Sequence, residues 1–213
     1  MKKALIIGAG PLLDSSFLKD KKDYFLVACD GGYQHYLNEK IEPDLFVGDF
    51  DTFDKSKIKK PKELIPLNVM KDDTDVFYSI KYLLDKGYNY FELYGCLGGK
   101  IEHTFANIQL LSYLVNHHAK GCLYSANNQT VVHMISNSCI RLKPLESGFL
   151  SVFSYNCKSQ GVCIENLLYT LNNATLSNDV PLGISNQFIG KEATISVRDG
   201  TLLLVLPKDS LYE

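Results

Sequence analysis

Acidic side chains are the densest chemical signal in the chain. Asp44, Asp49 and Asp51 surround Gly48, and Asp72, Asp73 and Asp75 follow Lys71. In Val47-Gly48-Asp49-Phe50-Asp51 the last two carboxylates stand two residues apart, so an extended backbone aims both to one side. Hard oxygen donors grouped this way suit Mg²⁺, which takes few carboxylates and keeps positions for water and phosphate oxygens. At the second group, Lys71 and Thr74 add a cation and a hydroxyl to one helix start. Asp72 or Asp73 has a simpler use there as a helix cap, and all three acids complement the helix dipole.

Two glycine turns accompany the acids. Gly95-Cys96-Leu97-Gly98-Gly99-Lys100-Ile101-Glu102-His103 reads as strand, turn and helix start. Paired glycines admit a phosphate close to the backbone, and a helix N-terminus with Lys100 supplies positive potential. Glu102 has the alternative role of a first-turn dipole partner, and an isolated histidine such as His103 that of an ordinary surface or core residue. Gly8-Ala9-Gly10, with Asp30 20 residues further on, half-matches a dinucleotide fingerprint, but Leu13 stands where its third glycine belongs. This turn either approaches nucleotide phosphates or leads a strand into a helix with Pro11 near its start. Leu13 counts against a nicotinamide dehydrogenase, and the absence of a Gly-x-x-x-x-Gly-Lys-Ser/Thr loop excludes a P-loop NTPase. Metal, lysine and an acid to orient a hydroxyl form the mixture that phosphoryl-type transfer needs.

The elements that must carry these residues follow from hydrophobic period. Apolar runs at Ala4–Ile7, Tyr24–Ala28, Leu45–Val47, Tyr90–Tyr94 and Cys122–Tyr124 alternate with helical patterns, the sign of βαβ units and a mainly parallel sheet. Val76, Phe77, Ile80, Leu83 and Leu84 predict a helix from about Asp73 to Lys86, stopped by Gly87. A second helix is predicted from about Glu102 to His117, with Phe105, Ile108, Leu111 and Val115 facing inward. After Ser125 the period changes to strand-length runs at Thr130–Ile135, Cys139–Leu142, Phe149–Ser154, Gly161–Ile164, Ala193–Val197 and Thr201–Leu206. Asp199-Gly200 signals a type I′ hairpin. The expected architecture is an α/β N-terminal domain over 1–126 with a mainly parallel sheet, then an all-β sandwich over 127–213. In an open parallel sheet, the acids and glycine turns emerge at the carboxyl ends of the strands, where ligands bind.

Bulk properties narrow the partners. The 213 residues carry 22 Lys plus Arg against 24 Asp plus Glu, a formal charge of −2, which argues against a nucleic-acid surface built on charge. With 46% hydrophobic residues the chain is expected to be globular. Its N-terminal apolar run is too short for a secretory leader or for the ~18 residues of a membrane span. Six scattered cysteines with no Cys-x-x-Cys pair suggest a reducing cytoplasm.

Taken in order, Asp30-Gly31-Gly32, Pro43-Asp44, Gly48-Asp49-Phe50-Asp51-Thr52, Lys71-Asp72-Asp73-Thr74-Asp75 and Gly98-Gly99-Lys100-Ile101-Glu102-His103 resemble the thiamine pyrophosphokinase family. Leu167 to Leu171 and Gly183 to Gln187 extend the resemblance into the β half. It implies transfer of pyrophosphate from ATP to the hydroxyethyl oxygen of thiamine, giving thiamine diphosphate and AMP. It also implies a Mg²⁺-dependent homodimer with active sites between the α/β domain of one subunit and the sandwich of the other. By motif matching, Asp49, Asp51 and Asp75 hold metal, and Asp75, Lys71, Lys100 and Glu102 form the catalytic set, with Asp75 or Glu102 as proton acceptor. Gly8, Gly10, Asp30, Gly31, Gly98, Gly99 and His103 lie near nucleotide, and Ser185 with Asn186 meets thiamine. Lys100 and Glu102 replace the family's usual Arg and Asp, Thr52 a usual Ser, and Asn166 a common Gly. The chain has no Trp, so Phe188 is the candidate to stack on thiamine, with a sandwich-core role as its alternative; Tyr169 is expected to pack. A non-catalytic thiamine- or nucleotide-binding regulator of the same fold is the other function compatible with these substitutions.

Overall fold

Alternation of strands and helices in the first half and strands alone in the second is what the structure, a computed structural model, contains. It describes residues 1–48, 61–67 and 73–212; Asp49, Asp51, Thr52, Lys71 and Asp72 lie outside the described residues. The chain divides into two compact units, Met1–Asn128 and Gln129–Glu213.

In the first unit, β1 (Lys3–Ile7), β2 (Tyr24–Cys29), α1 (Tyr33–Glu39), β3 (Leu45–Gly48), β4 (Glu63–Pro66), α2 (Asp75–Asp85), β5 (Tyr90–Tyr94), α3 (Ile101–Asn116) and β6 (Lys120–Tyr124) follow one another. The strand order is β6-β5-β1-β2-β3-β4, with every pairing parallel. β1 is central, its Lys3 opposite both Tyr24 and Tyr90. Its Ala4 to Ile7 are fully buried, as a parallel strand covered on both faces must be. β4 was missed because its burial alternates and its residues are partly exposed, as befits an edge.

Two helical expectations need correction. Leu111 of α3 does face inward, but Phe105 is 64% exposed, and the buried face is Asn107, Leu110, Leu111 and Leu114. The sequence carries two overlapping apolar stripes, and Gly121 of β6 selects between them. A Cβ there would lie 2.5 Å from Leu114 Cδ1 and 3.0 Å from Leu111 Cδ2, so a glycine lets those leucines sit down on the strand. No α-helix follows Gly8-Ala9-Gly10; β1 reaches β2 through a single 3-10 turn, Ser16–Asp20. Asp14 organises that turn, accepting from the Ser16 backbone N–H at 3.0 Å and its hydroxyl at 2.7 Å, bonds that hold its carboxyl below the usual range. The same connection is anchored to the sheet where Lys21 Nζ meets the buried Glu92 of β5 at 2.6 Å, beside the Tyr24 hydroxyl at 2.8 Å.

The second unit contains β7 (Thr130–Ser136), β8 (Cys139–Leu142), β9 (Phe149–Ser154), β10 (Lys158–Glu165), β11 (Leu171–Ser177), β12 (Gly183–Gln187), β13 (Ala193–Ser196) and β14 (Thr201–Pro207). These pair antiparallel in the orders β12-β9-β14-β7 and β11-β10-β13-β8. Alternate residues such as Leu202, Leu204 and Leu206 are buried, the period-two pattern of a sheet with one face in a core. Asp199-Gly200 is not a hairpin. β13 pairs with β8 and β10 while β14 pairs with β7 and β9, so this turn carries the chain from one sheet to the other. Gly200 has a φ of 115°, but Asp199 lacks the positive φ that a type I′ turn demands of both residues. The crossing is held by Asn137 Oδ1, which accepts from Gly200 N–H at 2.9 Å, and by the Asp199 carbonyl, which accepts from Gln160 N–H at 2.7 Å. Among the described residues no helix is long and apolar enough to cross a membrane, and the cysteines are unpaired.

Candidate active site

In a parallel sheet the carboxyl ends of neighbouring strands diverge where the winding reverses, leaving a crevice. Here the chain winds from β1 to β4 on one side, then returns to place β5 on the other side of β1. A cavity of about 750 Å³ opens at that reversal. Gly8 to Pro11 after β1, Cys29 and Asp30 at the end of β2, and the turn after β5 line it, together with the starts of α2 and α3. Two helix N-termini therefore bring their positive dipole ends to one space.

Each rim has a local cause. Thr74 rather than Asp73 caps α2: its Oγ1 accepts from Phe77 N–H at 3.2 Å. Asp73 is turned instead to an ion pair with Lys81. Asp75 is thereby placed in the first helical turn, its carbonyl accepting from the Ser79 hydroxyl at 2.7 Å. The two glycine turns are fitted to one another, backbone against backbone. Gly8 N–H donates to Tyr94 O and Gly10 N–H to Gly95 O, each at 2.8 Å. A Cβ on Gly10 would meet Gly95 O at 2.6 Å, so close approach of the two turns already requires glycine there. Cys29 and Cys96 form part of the cavity wall with both thiols buried; burial pushes Cys96 up to about 12 and Cys29 well above its ordinary value. Both are neutral near pH 7 and unsuited to nucleophilic work.

Of the residues singled out from the sequence, Gly8, Gly10, Asp30, Asp75, Gly98, Gly99, Lys100 and His103 line this one cavity. Glu102 is exposed in the first turn of α3 and is not among the lining residues. Gly31 lies in the short 3-10 turn Asp30–Gly32, against Ala9. Thr74, Asn107 and the two thiols line the wall although nothing in the sequence reading marked the amide or the thiols. Asn107 had a signal: it is the polar residue that breaks the stripe continued by Leu110, Leu111 and Leu114.

The second unit holds the remaining candidates. Ser185 is exposed on β12 with a φ of 57°. Asn186 is buried, its Nδ2 donating to Tyr169 O at 2.6 Å and its Oδ1 accepting from the N–H groups of Tyr169 at 3.0 Å and Gln187 at 2.8 Å. Phe188 is buried against the Leu167 bridge, a core position, whereas Tyr169 projects with 64% exposure rather than packing.

Among the described residues no group of three or more His, Cys, Asp or Glu is close enough to hold a metal ion. The described part of the expected set, Asp75 at the cavity rim, offers the hard carboxylate oxygen that Mg²⁺ prefers.

Residues 18–123 match "Thiamin pyrophosphokinase, catalytic domain", and residues 137–202 match "Thiamin pyrophosphokinase, vitamin B1 binding domain". The chain belongs to the thiamin pyrophosphokinase family. A thiamine pyrophosphokinase of Bacillus subtilis is 25% identical over 218 residues, covering 98% of this chain and 100% of the relative. Members of the family share the fold closely. The crystal structure of the Bacillus subtilis thiamine pyrophosphokinase superposes with a TM-score of 0.86 at 23% identity, covering 98% of this chain and 100% of that one. The yeast thiamin pyrophosphokinase superposes with a TM-score of 0.75 at 15% identity, covering 99% and 88%.

Proposed function

We propose that this chain transfers pyrophosphate from ATP to the hydroxyl of thiamine, giving thiamine diphosphate and AMP. The carrying observation is the cavity at the winding reversal, where glycine turns, an aspartate and two helix N-termini converge, in a chain that also matches a vitamin B1 binding domain.

In this reading the nucleotide phosphates lie over Gly98, Gly99 and the α3 N-terminus, with Lys100 and Lys71 countering their charge and Asp30, Gly31 and His103 nearby. The hydroxyl of thiamine attacks the β-phosphorus in line with departure of AMP. Catalysis is then mostly positioning and charge stabilisation. Asp75 or Glu102 accepts the hydroxyl proton. Asp49, Asp51 and Asp75 would hold Mg²⁺, which when bound would neutralise phosphate charge. Ser185 is proposed to contact thiamine directly, with Asn186 supporting it from beneath through the Tyr169 backbone.

A homodimer with a shared active site belongs to the same proposal. Support comes from exposed apolar side chains around the β12 edge: Phe149, Leu168, Tyr169, Leu182 and Ile184. Hydrogen bonds from Leu168 N–H to Gln187 O and from Tyr169 N–H to Asn186 Oδ1 keep these segments adjacent. A cytoplasmic setting is proposed with it, consistent with unpaired cysteines.

The test is product analysis. AMP and thiamine diphosphate should form only when ATP, Mg²⁺ and thiamine are all supplied. Binding of thiamine or ATP with no AMP under those conditions would make the chain a non-catalytic binder and sink the proposal.

A further inference from the structure

Gly98 and Gly99, at φ 81° and 72°, occupy a region that glycine visits as easily as its mirror, so their own sterics do not hold the turn in one shape. Something else must. Gly10 N–H donates to Gly95 O at 2.8 Å, and Thr104 Oγ1 accepts from Gly98 N–H at 3.2 Å near the exposed side. From the buried side, Asn107 Nδ2 donates to Cys96 O at 2.8 Å.

Asn107 is out of place by burial alone. It is 8% exposed on the apolar face of α3, where leucine would bury more apolar surface without a polar group to satisfy. Its amide orientation is determined by its partner: a carbonyl only accepts, so Nδ2 must face Cys96. It also lines the cavity wall that contains Gly98, Gly99 and Lys100.

We propose that Asn107 is a positioning residue for nucleotide binding, acting through the Cys96 carbonyl to hold the Gly95-to-Lys100 turn in the shape that phosphates require. This inference rests on the ATP-binding reading above. Asn107→Asp keeps side-chain size but replaces the donor with a carboxylate facing a carbonyl oxygen. Near pH 8, ATP affinity by titration calorimetry and KM for ATP should both worsen by about tenfold, the scale of one lost buried hydrogen bond. KM for thiamine should stay within about twofold, a smaller change than any lost hydrogen bond gives. Near pH 5, where a buried aspartic acid is largely protonated, the variant's ATP affinity should recover toward that of the original protein, because the acid again donates to Cys96 O.

A purely structural role would lower Tm and leave the ATP-to-thiamine KM ratio unchanged, and that result overturns the proposal. If Asn107→Asp does not fold, Asn107→Ala is read by the same KM split. Should the unsubstituted protein fail to bind ATP, the nucleotide reading itself falls. Should it bind ATP and Asn107→Asp bind equally well near pH 8, only the role of Asn107 falls.

Discussion

Asp75 joins two roles that a single substitution can separate. As the first residue of α2 it complements the helix dipole, and as a cavity-lining carboxylate it is proposed to serve the reaction. Asp75→Asn keeps the side chain's shape while removing its charge. The dipole contribution of a first-turn acid is about 0.3–1 kcal/mol, so Tm should fall by only a few degrees. Loss of a positioned charge at the reacting phosphates should lower kcat by about 10²–10³-fold. Unchanged kcat in a folded Asp75→Asn protein would remove this residue from the catalytic set. The substitutions at Lys100 and Glu102 are smaller matters at this scale. An ammonium keeps the charge of a guanidinium while losing its two-pronged geometry, and Glu102 is exposed, with freedom to reach further than an aspartate.

At the scale of elements, the start of α2 is the most informative. Thr74 supplies the cap, so Thr74→Ala should cost about 1 kcal/mol of stability, measured by denaturant midpoint, and fray the turn that carries Asp75. The strands and helices with strong hydrophobic period were legible in the sequence: β1, β2, β5, α2 and the runs that became β7 and β14. β11 was not, because Asn172 and Asn173 are both exposed and Asn173 has a φ of 49°, which breaks the alternation at the start of the strand. β12 was hidden by a register shift between Gly183 and Asn186. Asp199-Gly200 misled because a local turn signal says nothing about which sheet the next strand joins. The glycine turns and the helix-start acids could be read because strand, glycine and charge stand next to one another in the chain. Asn107 showed only as a polar break in an apolar stripe, and Thr104 not at all, since the partners of both lie in a turn already passed and meet them only once α3 has folded.

At the scale of the whole molecule, exposed apolar residues around β12 make the case for self-association. Replacing Leu182 and Ile184 together by Glu removes two side chains that would each contribute about 1.5–3 kcal/mol on full burial and adds like charges to the surface proposed to meet its own copy. Sedimentation should shift from dimer to monomer with the far-ultraviolet spectrum unchanged; an unsubstituted protein that sediments as a monomer at micromolar concentration would defeat the dimer. The protonated thiols of Cys29 and Cys96 have a separate use. Alkylating reagents need both a thiolate and a path; these two thiols are protonated and buried, whereas Cys139 and Cys157 are exposed. Their labelling rate is thus a clock that ticks only when the cavity wall opens, and an occupant that holds the wall shut will slow it.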